Sequence, residues 1–586
     1  MYLEQAEVRN FRGIRHLKID FEEFSTALIG ENAWGKTSLL FVLWCLMGRG
    51  AQLYQFCRED LYIPPPKPEI KMDLDTGRPV VDFDVEADEN GILESTEERR
   101  AERLAVDLIF CESTTAEAEL SGRLFHDYLY YGRDGFYRLH WRIRAQESAE
   151  GFVTRHSLVH GGGRESSSEQ AEKAILGLIA RNPVLRLREH LPEHEYSGPS
   201  QDQTQQEAGK VFESILTGDA PSAPQLREGM LALNALVSRY LSHYREQPVV
   251  PDRAKGVVDV VNRPISLEGM SDLRQMLTDP GLNKLKLLTW LLAGAVNYSR
   301  GSVNIDWNIA RPIVIIEDIE SRFHPSLLLS FWSLLEAGAF QKIITTNSGD
   351  LLSALPLAAL RRLHRSRYEA AVCFKIDENA LTLEERRRIA FHVRLNRSMS
   401  LFARTWLLVE GETEIWIISQ AAAIMGFSLQ CDGIRPLEFA QCGLHPLMRM
   451  ASHLGIKFHV LTDGDEAGQK YAASVRGFLG SQPNRFMSRR HNLHHFLTVL
   501  PHIDIEHFLY SNGYADVYLQ ASGIRGAARR GISADRIIET AIKRKSKPGM
   551  AVAVIAEMQN RGPDGVPELF RNMLGDLREL TLRDLI

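Results

Sequence analysis

Gly30-Glu31-Asn32-Ala33-Trp34-Gly35-Lys36-Thr37 follows the apolar run Ala27-Leu28-Ile29 and opens into Ser38-Leu39-Leu40-Phe41-Val42-Leu43. A strand, a tight loop framed by glycines and then a helix make a nest of backbone N–H groups at a helix N-terminus. That arrangement holds a triphosphate, with Lys36 reaching the β/γ oxygens and Thr37 placing its hydroxyl on Mg²⁺. The expected nucleotide contacts are Gly30, Asn32, Gly35, Lys36, Thr37 and Ser38. Further along, the apolar strand Pro312–Ile316 runs into Glu317-Asp318-Ile319-Glu320-Ser321-Arg322-Phe323-His324-Pro325. Adjacent acids there meet the needs of an NTPase: one carboxylate holds the magnesium water shell and the next polarises the attacking water.

A second motif, unrelated to the first, begins almost four hundred residues later. Trp406-Leu407-Leu408-Val409 is an apolar strand ending in Glu410-Gly411-Glu412-Thr413-Glu414, before the helical run Ile415–Met425. Glycine lets the chain turn sharply off the strand, and Glu414 lies about one helical turn beyond Glu410, so both can face one cavity. Phe458-His459-Val460-Leu461-Thr462 then runs into Asp463-Gly464-Asp465-Glu466-Ala467-Gly468. Two aspartates one residue apart at the C-terminal end of a parallel strand point the same way and can share cations. Hard oxygen ligands suit Mg²⁺ or Mn²⁺.

At 586 residues the chain exceeds one ordinary core, which predicts two to four domains. Its formal net charge of −6 excludes a polycation, so nucleic-acid contact must come from local basic patches or from carboxylate-held metals. The six cysteines form no CxxC pair, which predicts buried free thiols and a reducing cytoplasm. The N-terminus lacks a basic and an apolar region of signal-peptide type, and no apolar stretch is long enough to span a bilayer. The histidines at His491, His494, His495, His502 and His507 have no cysteine nearby, so a surface or DNA-proximal place is expected rather than zinc.

The patterning from Tyr2 to about Arg144 is mostly β-type, with a hairpin signal at Arg133-Asp134-Gly135. Helical spacing dominates from about Ala171 to Tyr244, and an apolar helix is expected at Leu282–Tyr298. A basic connector (Arg361–Arg367, Arg386–Arg397) precedes an alternating β/α pattern from Thr405. The expected fold class is α/β: an ATPase in two parts, residues 1–170 and 256–398, around a helical insertion at 171–255, then a separate domain at 399–586.

The first half resembles the ABC-type ATPases of the SMC/RecF/OLD kind, through Val8-Arg9-Asn10-Phe11-Arg12-Gly13-Ile14, the phosphate loop and the Glu-Asp-x-Glu-x-x-x-His-Pro segment. The resemblance gives Glu317 the Mg²⁺-linked role and Asp318 the catalytic one, with Glu320 and His324 in a loop at the subunit interface. Asn347 stands where a His usually contacts the γ-phosphate, and Ser266–Gly269 and Pro280–Asn283 are degenerate signature candidates. These departures point to slow hydrolysis, or to ATP acting chiefly as a conformational ligand.

The second half resembles the Toprim fold of topoisomerases, primases and OLD-family nucleases. That resemblance makes Glu410, Glu414, Asp463 and Asp465 metal ligands, Glu506 an additional acidic element, and Lys547 a lysine near the scissile phosphate. Arg489, Arg490, Arg529 and Arg530 are candidates for backbone phosphate contacts. An ABC-type ATPase followed by Toprim resembles the OLD (overcoming lysogenisation defect) endonucleases, in their YbjD-like branch. It implies an ATP-binding, metal-dependent DNA endonuclease or nickase, dimerising through the helical insertion, with two Mg²⁺ or Mn²⁺ ions at the Toprim site and one with ATP. A non-cleaving RecF-type repair ATPase and a topoisomerase or primase are the alternatives.

Overall fold

The computed structural model describes residues 1–32, 34–48, 53–64, 69–72, 79–82, 101–114, 122, 125–148, 151–187, 310–321, 328, 329, 332, 335, 336, 340–365, 370–377, 380–395, 397–481, 492–524 and 531–582. The insertion beyond residue 187, the Leu282–Tyr298 run, both signature candidates, His324, His491, Arg489, Arg490, Arg529 and Arg530 lie outside these residues. The chain divides into two compact units, Met1–Cys373 and Phe374–Ile586.

The N-terminal unit holds two main sheets. One is antiparallel: β1 (Tyr2–Phe11), β2 (Ile14–Asp20), β6 (Arg103–Cys111), β8 (Tyr137–Ser148), β9 (Gly151–Val159) and β10 (Glu165–Ser166) run in the order β10-β9-β8-β6-β1-β2, and β7 (Tyr130–Tyr131) pairs with β8. The Arg133-Asp134-Gly135 turn joins β7 to β8 as its residues predict, with Gly135 at φ +90°. A separate two-stranded ribbon pairs β4 (Glu69–Met72) with β5 (Pro79–Asp82).

The other sheet runs β11-β12-β13-β3-β14-β15, from β3 (Ser25–Ile29), β11 (Val184–Leu187), β12 (Ile313–Ile316), β13 (Gln341–Thr345), β14 (Leu360–His364) and β15 (Val372–Phe374). Strands β11, β12, β13, β3 and β14 pair in parallel. All four residues of β12 are buried, as a continuous Ile/Val run requires inside a parallel sheet, and β13 (Gln-Lys-Ile-Ile-Thr) is buried throughout, with the Gln341 amide donating to the Leu3 carbonyl at 2.8 Å. Parallel pairing brings the ends of β3, β12 and β13 to one edge, and helix α1 (Lys36–Met47) leaves from that edge. The β1–β2 turn braces this helix: the Arg12 guanidinium lies 3.9 Å from the Phe41 ring centre and donates to Asp60 at 2.9 Å. Helix α2 (Glu169–Arg181) is capped by Ser168 and lies where helical spacing predicts one.

In the C-terminal unit four parallel strands run β17-β16-β18-β19, from β16 (Thr405–Val409), β17 (Ile434–Glu438), β18 (Lys457–Thr462) and β19 (Leu497–Val499). Leu408 pairs with Val460 and Thr462 with Val499, so β16, β18 and β19 end at the same edge. The connections carry α5 (Glu412–Ile424), α6 (Leu444–His453) and α7 (Glu466–Ser481). After β19 come α8 (Ile505–Leu509), α9 (Ala515–Ser522), α10 (Ala534–Lys545), α11 (Lys547–Arg561) and α12 (Glu568–Leu582). A core of Leu407, Ile418, Leu461, Phe508, Tyr514, Val554 and Phe570 joins these helices to the sheet.

Two expectations are corrected. The basic stretch Arg386–Arg397 is largely helical: α4 (Leu383–Ile389) opens on a Thr382/Glu385 capping box and continues to Leu395 in wider turns. Of the cysteines, Cys45, Cys111 and Cys442 are buried, but Cys57 and Cys431 are exposed. No helix among the described residues is long and apolar enough to cross a membrane.

Candidate nucleotide and metal sites

Two glycines fix the loop after β3. Gly30 has φ +144°, and a Cβ there would come within 2.7 Å of the Leu363 carbonyl oxygen; Gly35, at φ +96°, is in the left-handed region. Trp34 is buried against His364, with ring centres 5.0 Å apart. Lys36 is also nearly buried and donates to the carbonyls of Gly30 and, at 3.4 Å, Glu31. Burial pulls its pKa down while Asp318, Glu320 and Glu31 oppose that, so the ammonium sits among carboxylates at the mouth of the loop. Thr37 and Asn32 are exposed.

Opposite the loop, the acids after β12 have different partners. Glu317 accepts from Arg186 Nε at 2.6 Å, and that buried guanidinium lies 5.6 Å from the ring centres of both Phe41 and Trp44. Asp318 adopts φ +42°, a strained value for a residue with a side chain. Its N–H donates to Thr345 Oγ1 and its Oδ1 accepts from that hydroxyl, both at 3.1 Å. Asn347 is exposed at the end of β13, one strand over from Gly30. The expected nucleotide residues thus share one sheet edge. Arg186 was not foreseen, because its pairing spans 131 residues.

The second site lies at the common edge of β16, β18 and β19. Glu410 leaves the end of β16, and one buried oxygen, Oε2, has no hydrogen-bond partner among the described residues. Glu414, in the first turn of α5, is buried and turns Oε2 back to the Gly411 N–H at 3.1 Å. Asp463 follows β18, and Asp465 accepts from the Gly468 N–H at 2.7 Å, starting α7. Glu506 in α8 is 2 % exposed, and Lys547 Nζ stands 3.3 Å from its Oε1. Asp504, unforeseen, caps α8 by accepting from the His507 N–H at 2.8 Å; His507 bridges it to Asp535.

The acids feel one another. Asp463 is pushed up to about 8, first by burial and then by Glu414, Glu410, Asp504 and Glu506. Burial also raises Glu410 and Glu414, helped by Asp465 and Glu506 respectively. Burial draws the Lys547 ammonium down, but Glu506, Asp504 and Glu414 outweigh it and hold the pKa up. Four helix N-termini, those of α5, α7, α8 and α11, carry these residues, and their partial positive charge offsets some of the repulsion. Buried carboxylate oxygens lacking donors, in an all-oxygen set, fit a hard divalent cation. Among the described residues, no three of these acids bring their oxygens within 4.8 Å of one another.

Glycines shape this edge too. A Cβ on Gly464 would meet the Leu500 and His502 carbonyl oxygens at 2.4 Å, and one on Gly468 would meet the Asp463 carbonyl oxygen at 1.9 Å. Gly468→Ala is therefore expected to cost about 1–3 kcal/mol by overpacking. A chemical denaturation midpoint equal to wild type would refute this.

Among the described residues, His494, His495 and Asp576 form a three-donor cluster. However, His495 Nδ1 accepts from the Asn492 N–H at 3.2 Å, which leaves the proton on Nε2, 3.6 Å from Glu579. A protonated Nε2 cannot ligate, so the pair clasps α12 instead. His495 is buried, His502 bonds Ser511 and His507 lies between two aspartates, so these three are not free surface histidines.

Residues 401–465 match the model described as "Overcoming lysogenization defect protein-like, TOPRIM domain". Residues 1–74 and 82–400 match the model of "Protein of unknown function (DUF2813)". The chain belongs to the OLD-like family, an α/β protein with the DUF2813 match over its first 400 residues and a Toprim match directly after it. Its full-length relatives include the uncharacterized protein YbjD of Escherichia coli K12, 34% identical over 606 residues and covering 98% of each chain. Among solved structures, the C-terminal region of the Burkholderia pseudomallei OLD protein is 18% identical over 31% of this chain and 99% of its own, with a TM-score of 0.25. An SMC head bound to the C-winged helix domain of ScpA is 14% identical over 64% of this chain and 99% of its own, with a TM-score of 0.30. The family assignment rests on the sequence matches.

Proposed function

We propose that this chain is a divalent-metal-dependent DNA endonuclease or nickase, gated by ATP at the N-terminal unit. The observation that supports it most is the convergence of Glu410, Glu414, Asp463, Asp465 and Glu506, with carboxylate oxygens left without donors, beside Lys547. Those five acids would hold Mg²⁺ or Mn²⁺, which supplies a water of lowered pKa and charge neutralisation at the phosphate. Lys547, held by Glu506, is placed to take up negative charge on the scissile phosphate. In the N-terminal unit Gly30, Asn32, Gly35, Lys36, Thr37 and Ser38 would cradle ATP, with Glu317 on the Mg²⁺ side and Asp318 toward the attacking water. The protein would act as a cytoplasmic homodimer on DNA, in phage defence or repair.

A topoisomerase reading is disfavoured at two of its tyrosines. Tyr514 and Tyr518 are buried, and the Tyr514 hydroxyl donates to the Gly565 carbonyl at 2.6 Å. Neither is available as a nucleophile toward DNA.

The test is a supercoiled-plasmid assay with Mg²⁺, Mn²⁺ or Ca²⁺, each with and without ATP. Nicked or linear product with Mg²⁺ or Mn²⁺ is expected; intact plasmid in all six conditions would favour the non-cleaving ATPase. Because a proton on Asp463 competes with the cation, metal affinity should rise with pH up to about 8 and then level off. Calorimetric Mg²⁺ titrations at pH 6 and 8 measure this, and equal affinities at the two would count against the arrangement.

A further inference from the structure

Glu320 lies in the short turn Ile319–Ser321, just past the acids of β12, and both its oxygens are occupied. Its Oε2 accepts from the Thr346 hydroxyl at 2.9 Å, and its Oε1 accepts from the Asn347 N–H. Thr346 is fully buried, and its Oγ1 in turn accepts from the Ser348 N–H at 2.9 Å. Ser348 Oγ then accepts from the Leu351 N–H at 3.3 Å and caps α3 (Gly349–Ala354). On the other side, the Thr346 N–H donates to the Leu28 carbonyl at 3.4 Å, which sets the loop beside the end of β3 and Gly30.

The Thr346 hydroxyl accepts from the Ser348 N–H on one lone pair and donates its own proton to Glu320. The backbone N–H of Asn347 can only donate. Glu320 accepts at both oxygens, as an ionised carboxylate does, whereas a carboxamide would need the Thr346 hydroxyl turned to accept.

We propose that Glu320 is a positioning residue that latches the loop after β13, and so holds Asn347 at the mouth of the phosphate loop. Resting on the ATP-site reading, this adds a contact made within a single chain. The carboxylate sets where Asn347 stands; Asn347, not Glu320, reaches the terminal phosphate. The latch joins β12 to β13 across the edge where nucleotide would enter, so loss of the latch frees the loop while leaving the glycine cradle in place.

The experiment uses the full chain as wild type, Glu320→Ala, Glu320→Gln, Thr346→Val and the Glu320→Ala/Thr346→Val double variant. Three quantities are read: ATP affinity, single-turnover ATP hydrolysis, and amide hydrogen exchange over residues 345–349. For Glu320→Ala, hydrolysis should fall and exchange accelerate about tenfold or more, the worth of a charge-assisted hydrogen bond. ATP affinity should not fall, since an anion beside Lys36 is removed, and the melting temperature should stay near wild type. Glu320→Gln should restore part of the protection, since its amide oxygen can still accept from the Asn347 N–H while its NH₂ needs the Thr346 hydroxyl turned to accept. Exchange in the double variant should equal that of the more affected single one, since both changes break one network. Wild-type exchange in Glu320→Ala would overturn the latch, and so would exchange in Glu320→Gln no slower than in Glu320→Ala. Failure of the wild type to bind ATP would instead remove the underlying site reading, a result the affinity measurement isolates.

Discussion

Asp463→Asn should abolish plasmid nicking while making the cation-free protein more stable. The activity loss should be at least about a hundredfold, since disturbing even the outer shell of a metal site costs 10–100-fold. The stability change runs the other way. Burial and four neighbouring carboxylates hold the Asp463 pKa near 8, far above its ordinary value. Ionisation is thus disfavoured in the folded chain, and this unfavourable contribution grows as pH rises from the ordinary carboxylate range through 8. Asparagine cannot ionise, so the variant should melt above wild type in EDTA at pH 8.5, with the gap narrowing at pH 5. Added Mg²⁺ should raise the wild-type melting temperature more than that of the variant. A variant melting below wild type in EDTA at pH 8.5 would mean that the acids do not repel one another as described.

Lys36→Ala should cut ATP affinity about ten- to a hundredfold, the range for losing a hydrogen bond to a charged group, at 1.4 kcal/mol per decade. The upper end is expected because Asp318, Glu320 and Glu31 lie around Lys36, and without its cation they would face the incoming phosphates uncompensated. Folding should tolerate the change, as the ammonium is held by two loop carbonyls and anchors no packed core. Plasmid nicking without ATP should be unaltered. Equal affinities for wild type and variant in a fluorescent-nucleotide titration would defeat the phosphate-loop assignment.

Both sites were legible where their chemistry is written contiguously. The Gly30–Thr37 loop and the Asp463–Gly468 loop each follow a short apolar strand, and the strand, the turn glycines and the ligands lie within a dozen residues. Lys547 is singled out by family resemblance alone; its Nζ stands 3.3 Å from Glu506 Oε1. What escaped was long-range pairing. Arg186 meets Glu317 because β11 and β12 are neighbours in a parallel sheet, although 131 residues separate the two side chains. Glu320 meets Thr346 for the same reason, one strand further in. No local pattern encodes which strands become neighbours. The Arg386–Arg397 stretch was misjudged for another reason: its charge suggested a connector, while the Thr382/Glu385 cap and runs of Arg, a strong helix former, favour a helix.

Gly468 carries a lesson for judging relatives of this chain. The carbonyl of Asp463 fills the space a methyl group would need, so a homologue with alanine there could keep every acidic residue and still lose the cleft that gathers them. Counting carboxylates would score such a protein as competent. On the proposed metal-site reading, the small residue that contributes no charge is the more discriminating marker of which relatives can still gather those acids.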